Sequence, residues 1–193
     1  MRPDNPPDVH AGYFQLQDHL AMDFRLTEPP GDTPSDNPDS PLFGMLGELQ
    51  VLEHESQHLL RQIGERDRVL AACLKTFSKR IDLLAQATAL RLTSDLGSPM
   101  PVVISEAGLS FTTDTPLEPG QWIALRLLLS NVTGMATLAR IADCRQDPAS
   151  GHYTIQVSFH HSETQRQLLA RYIVQRQAQD IRAAKQNERT STT

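Results

Sequence analysis

Between Leu60 and Leu84, large apolar residues recur at alternating steps of three and four. They are Leu60, Ile63, Leu70, Leu74, Phe77, Ile81 and Leu84, and Asp67 is the polar residue that interrupts the series. Apolar residues at positions a and d of a seven-residue repeat, sustained over several heptads, define a helix with a narrow apolar seam. Another helix of the same kind covers such a seam more readily than a globular core does, so the chain is expected to self-associate through it. The other packing the stripe permits is a long amphipathic helix folded back on its own domain. In a seam, Asp67 is expected to lower stability while fixing register and partner number, so Asp67→Leu should raise stability.

The seam lies in a longer helical stretch, residues 42–92. Its first part is a broader stripe of Leu42, Met45, Leu46, Leu49, Leu52 and Leu59. Gly44, Gly47 and Gly64 each cost roughly 1 kcal/mol against alanine inside a helix. Gly64 is therefore a candidate break, and the pattern leaves one helix or two open. Glu65, Arg66, Arg68, Lys75, Lys79, Arg80 and Asp82 give a solvated outer face. Residues 28–41, with five prolines, read as a linker, with Asp39 or Ser40 available to cap the helix that Pro41 begins. Residues 1–11 are proline-rich and expected to be disordered.

On both sides of the helices the period falls to two. Within residues 12–27, Leu20, Met22, Phe24 and Leu26 alternate with Ala21, Asp23 and Arg25, a half-buried strand that must pair with something later in the chain. In residues 99–161, apolar runs alternate with turns. Val102–Ile104 leads through Ser105-Glu106-Ala107-Gly108 to Leu109–Thr113, and Pro116-Leu117-Glu118-Pro119-Gly120 leads to Trp122–Leu129. Met135–Arg145 is a weaker strand, with Ala136, Leu138, Ala142 and Cys144 on one face and Arg140 interrupting. Tyr153, Ile155, Val157 and Phe159 alternate cleanly. Short strands at this spacing indicate a small antiparallel barrel or sandwich. Residues 162–184 form a last helix capped by Ser162, with Leu168, Leu169, Tyr172 and Ile173 on one face and the Arg176 stem continuing it. Residues 185–193 are a polar tail expected to be disordered.

The 193 residues suffice for one domain plus an oligomerisation element. A net charge of -5 leaves no electrostatic footprint for nucleic acid. No apolar run approaches the ~20 residues that span a bilayer. The start of the chain has no apolar signal-peptide core, and Cys73 and Cys144 read as reduced thiols, so a cytoplasmic protein without membrane insertion is expected. His54 and His58 share a helix face but lack the HExxH spacing and a third ligand, and read as solvated. His160-His161 reads as a strand-end turn. Ser105 lacks the glycines of a hydrolase elbow. Neither enzyme activity, a metal nor a cofactor is expected.

The run Val103-Ile104-Ser105-Glu106-Ala107-Gly108-Leu109-Ser110-Phe111, with Pro116-Leu117-Glu118-Pro119-Gly120 behind it, resembles the PilZ domain family. So do the closing strand 153–159 and the helix that follows. The resemblance covers roughly residues 100–180, with the strand at 13–26 as the start of the same barrel. It implies an α+β fold: a six-stranded antiparallel PilZ-type β-barrel, a long coiled-coil helical insertion after the first strand, and a C-terminal helix. Members of the family are cyclic di-GMP receptors. Their site uses two arginines spaced Arg-x-x-x-Arg before the first strand and an Asp/Asn-x-Ser-x-x-Gly turn. In this chain Ser105 and Gly108 match the turn, Val103 replaces the Asp/Asn, and only Arg2 precedes the first strand, with Gln15 where an arginine is expected. The site thus looks degenerate, and cyclic di-GMP is a possible ligand that is not expected to bind tightly. With its inserted heptads the chain resembles a degenerate subgroup of the family known from xanthomonads, which assembles as a tetramer through a helical bundle. The resemblance implies a homo-oligomer, a tetramer, meeting a protein partner in motility or pilus machinery and serving cyclic di-GMP-linked control of motility, pili or virulence. The alternative is a working receptor that uses Arg126, Arg140 or Arg145 in place of the missing clamp.

Overall fold

The computed structural model describes residues 9–30 and 41–190, the side chains at 185 and 187–190 excepted. The chain runs β1 (Leu16–Thr27), α1 (Pro41–Arg66), α2 (Arg68–Leu96), β2 (Met100–Ile104), β3 (Gly108–Thr113), β4 (Trp122–Ser130), β5 (Thr133–Gln146), β6 (Tyr153–His160) and α3 (Glu163–Thr190). The six strands close into an antiparallel barrel in the order β1-β2-β3-β6-β5-β4. β1 closes it by pairing with β2 through its first half (Leu16 opposite Ile104) and with β4 through its second (Phe24 opposite Leu125). The strand that precedes the helices is thereby built into the barrel that follows them, and the helices are an insertion.

Alternation fills the barrel. Leu16, Leu20 and Met22 of β1, Leu109 and Phe111 of β3, Ile123, Leu125, Leu127 and Leu129 of β4, and Ile155, Val157 and Phe159 of β6 form one core. β5 explains why its pattern reads poorly. A bulge between Ile141 and Asp143 shifts the register, so Met135, Ala139 and Ile141 face the core before it and Cys144 after it. A strict period-two reading through a bulge puts half the strand on the wrong face.

α3 plugs one end of the barrel with Leu168, Leu169, Tyr172 and Ile173. Its start is a capping box, in which Gln165 N donates to Ser162 Oγ (3.3 Å) and Ser162 N donates to Gln165 Oε1 (3.1 Å). The Arg176 head stays partly exposed while it also holds a partner. It forks onto the Asp18 carboxylate of β1 (2.8 and 3.0 Å), which also accepts from the Tyr172 hydroxyl. Burial alone would raise the Asp18 pKa. The bonds from Tyr172, Arg176 and the His19 amide outweigh it and hold the group below the ordinary carboxylate range. A carboxylate depressed on folding stabilises the native state above its unfolded pKa, and that contribution is lost as pH falls through the folded value. Thermal stability is therefore expected to drop on acidification below about pH 4, and to drop less in Asp18→Asn, checked by melting curves across that range. The helix also continues through Thr190, so residues 185–190 are helical and not part of a disordered tail.

Between strand and barrel, the inserted helices form a hairpin. The break falls at Asp67, three residues after Gly64. Asp67 has extended backbone (φ -141, ψ 100) and caps α2, accepting from Val69 N (2.9 Å) and Leu70 N (3.0 Å). Asp67 is thus a helix N-cap and not a seam residue, which corrects its expected role. An Asp one residue before a helix satisfies amides that would otherwise lack partners. The effect on stability reverses sign as well. Asp67→Ala is expected to cost the hairpin about 1 kcal/mol, measurable by chemical denaturation. At the tip Gly64 faces Ala71, and a Cβ on Gly64 would lie 3.7 Å from Ala71 Cβ, an ordinary contact, so the tip does not require glycine there.

α1 docks on β5 by close approach. A Cβ on Gly134 would lie 3.0 Å from Phe43 and 3.3 Å from Leu46, and one on Gly47 would lie 3.2 Å from the Gly134 carbonyl. Gly47 therefore serves barrel contact at some cost in helix propensity. Phe43, Leu46, Ala85, Ala89, Leu92 and Leu96 join Ala21 and Ala136 of the barrel exterior in a second core. Arg126, directly opposite Asp23 across β1 and β4, is ion-paired to it and lies over the Phe43 ring.

Candidate functional site

The motif turn, residues 105–107, joins β2 to β3. Ser105 N donates to Gly108 O (2.9 Å), and the Ala107 amide donates to Ser105 Oγ (3.3 Å), so the serine side chain braces its own turn. Ala107 O accepts from Phe159 N (2.9 Å), and the His161 ring bonds Glu106 O (2.9 Å), which ties the turn to the end of β6. His161 is thus a latch on the motif turn. Gly108 sits where β3 meets β6. A Cβ there would fall 2.1 Å from the Val157 carbonyl oxygen and 3.3 Å from a Val9 methyl.

The structure brings Ser105 and Gly108 together with a residue the sequence reading placed in a disordered segment. His10, only 3% exposed, sets Nδ1 2.8 Å from Ser105 Oγ and Nε2 2.8 Å from Ser110 Oγ. The chain then reverses at Gly12 (φ 80), with Tyr13 N donating to His10 O (3.0 Å), and enters β1. Residues 9–11 are therefore ordered against the barrel, which corrects the expected disorder there. Residues 1–8 and 31–40, including Asp39 and Ser40, lie outside the described residues, as does Arg2. No local signal marks His10, because its partners are 95 and 100 positions away.

Val103, at the motif's Asp/Asn position, is half-buried opposite Gln17 and Ser110, and Gln15 is exposed. Arg126 is held by Asp23, and Arg145 pairs with Asp143. Arg140 is exposed and stands opposite Ser158, which itself stands opposite Gly108. The seam residues divide. Leu60, Ile63 and Leu74 are half-buried in the hairpin, while Leu70, Phe77, Ile81 and Leu84 are 48–70% exposed on α2. His54 and His58 are exposed on α1, His58 bonded to Gln62 (3.0 Å), and among the described residues no cluster of three metal-ligating side chains occurs. Among them, too, no helix is long and apolar enough to cross a membrane.

The architecture is a small closed barrel plugged by a C-terminal helix, with a serine-glycine turn on its rim. A model of the PilZ domain matches residues 75–175, more than half of the chain, and the chain belongs to the PilZ domain family. The match begins inside α2 and leaves out β1, the strand that the hairpin separates from the rest. The fold is similar to that of a pathogenic protein from Xanthomonas campestris, described as a tetrameric PilZ domain self-assembled via an unusual helical bundle. The identity is 16%, covering 89% of this chain and 92% of that one, with a TM-score of 0.56. An inhibitor of motility from Bacillus subtilis aligns over 42% of each chain at 18% identity and a TM-score of 0.38, a likeness too weak to bear on the fold. No curated protein matches the sequence.

Proposed function

We propose that this PilZ-family chain is a non-enzymatic cytoplasmic adaptor, assembled through its helical hairpin as a homotetramer, that serves cyclic di-GMP-linked control of motility, pili or virulence while binding the dinucleotide weakly or not at all. The observation that carries the reading is how side chains are sorted by size in α2. From Ala71 to Ala89 the side turned toward α1 and the barrel holds mainly small or polar residues, Ala71, Ser78, Asp82, Ala85 and Ala89, buried or half-buried with Leu74 among them, before Leu92 and Leu96 close on the barrel. The flank about a quarter turn away exposes Leu70, Phe77, Ile81 and Leu84. A continuous exposed apolar ridge on a soluble chain marks an interaction surface. The heptad spacing of its residues fits a helical partner of the same kind. The helical-bundle assembly of the Xanthomonas campestris protein supports the same choice. Several barrels held on one bundle would meet a protein partner of the motility or pilus machinery with raised effective concentration.

The composition of the turn supports weak binding. No arginine lies between residues 9 and 15, Val103 offers no acceptor, and His10 covers the serines. Each charged hydrogen bond forgone is worth about 1.5–3 kcal/mol, so several together remove most of a dianion's affinity. Titration calorimetry of the full chain with cyclic di-GMP is expected to give no saturable heat at micromolar concentrations. Binding at micromolar or tighter, abolished in Arg140→Ala, would instead support the receptor reading, which the place of Arg140 on the strand row leading to Gly108 favours.

A further inference from the structure

We propose that Ser105, Ser110 and the Gly108 backbone form a seat for a planar nitrogen heterocycle, and that residues 9–13 are a strap filling this seat with the chain's own imidazole. The inference deepens the adaptor reading and rests on it, since a seat occupied from within is one reason for weak binding from outside. The geometry is that of a ligand site. Both ring nitrogens of His10 are engaged, each by a hydroxyl at 2.8 Å, and the two hydroxyls come from different elements, the motif turn and β3. A hydroxyl donates or accepts as required, so the pair reads a ring with two in-plane nitrogens without demanding one tautomer. The ring is 3% exposed and both serines are buried, so the seat is dry. Hydrogen bonds in such a place are costly to leave unmade.

The strap holds the ring in place from both sides of His10. Val9 packs against the Gly108 face, the absence of a Cβ at Gly108 leaves room for that approach, and the turn at Gly12 sends the chain back into β1. Among the described residues the first strand pair of β1 is Leu16 with Ile104, so residues 9–13 can leave the seat without disturbing a strand pair. A heterocycle arriving from solution therefore competes with the strap for the same two hydroxyls.

Chemical rescue tests this in the full-length chain. His10→Gly, and His10→Ala in parallel in case the glycine variant folds poorly, are melted at mildly alkaline pH with increasing free imidazole. Cyclopentanol, of similar size but without ring nitrogens, is the control probe. Each variant is expected to melt several degrees below the wild type. Imidazole should recover a saturable part of the loss, while cyclopentanol should not. The wild type, whose seat is filled, should not respond, nor should His10→Gly/Ser105→Ala/Ser110→Ala. A variant indifferent to imidazole, or a wild type that responds equally, would overturn the proposal, and so would equal rescue by cyclopentanol. Cyclic di-GMP calorimetry on the wild type decides the adaptor reading separately, so failure of one is told apart from failure of the other.

Discussion

Replacing Phe77 and Leu84 with aspartate is expected to reduce the assembly to single chains in sedimentation velocity while leaving the barrel's melting behaviour nearly unchanged. Both residues are exposed, at 53% and 70%, and belong to neither buried core, so within the chain the substitution forgoes little beyond the Arg80 guanidinium that lies over the Phe77 ring. Exposed changes of this kind ordinarily move stability by about 0.5 kcal/mol or less. At an interface between copies the arithmetic is different. Each large apolar side chain buried there contributes about 1.5–3 kcal/mol, and a carboxylate in its place must be desolvated. Two substitutions per chain, repeated in every copy, exceed what an ordinary helical bundle leaves in surplus. A wild type that sediments as one chain would remove assembly from the proposed function. Substituting Ile63 or Leu74 would be a poorer test, because both are half-buried within the hairpin and their loss would damage the fold as well.

Gly108→Ala is expected to destabilise the barrel by about 3 kcal/mol, near the upper end of the usual cost of overpacking, and to lower its melting temperature by roughly 6–12 °C for a chain of this size. The added methyl would sit 2.1 Å from the Val157 carbonyl oxygen, which is backbone and cannot rotate away. β3 and β6 would have to separate at the pair Gly108–Ser158, where the β3–β6 ladder starts. Ser105→Ala should cost less, since it forgoes the bonds to His10 and the Ala107 amide while the Ser105 amide keeps Gly108 O. The lack of a side chain at Gly108 thus serves closure of the barrel, apart from any ligand. A melting temperature equal to the wild type's would mean that the strands part without cost and would refute this account.

Several of these features were open to a reader of the sequence and several were not. Leu20, Met22, Phe24 and the run Tyr153–Phe159 announce their strands because alternation is local and survives any tertiary arrangement. β5 was blurred, since one bulged residue near Ala142 exchanges the faces. Ser105 and Gly108 were visible as turn chemistry, whereas the reason for Gly108, a carbonyl on β6, was not. Asp67 was ambiguous in a more instructive way. A carboxylate within an apolar heptad series fits a polar layer of a continuous seam or the N-cap of a second helix. The choice depends on whether the chain reverses there. Gly64 and Ala71, able to approach at the tip, make reversal sterically cheap, but their proximity exists only once the hairpin has formed.

By itself the sequence determined the six strands, their Gly/Pro turns, the helical insertion and the apolar content of the seam, because each depends on residues a few positions apart. The tertiary structure decided which seam residues turn inward and which are left outside, because hairpin and extended helix use the same heptads. It also decided that His10 lies on Ser105 and Ser110, because that contact spans about half the chain and only closure of the barrel brings its ends together.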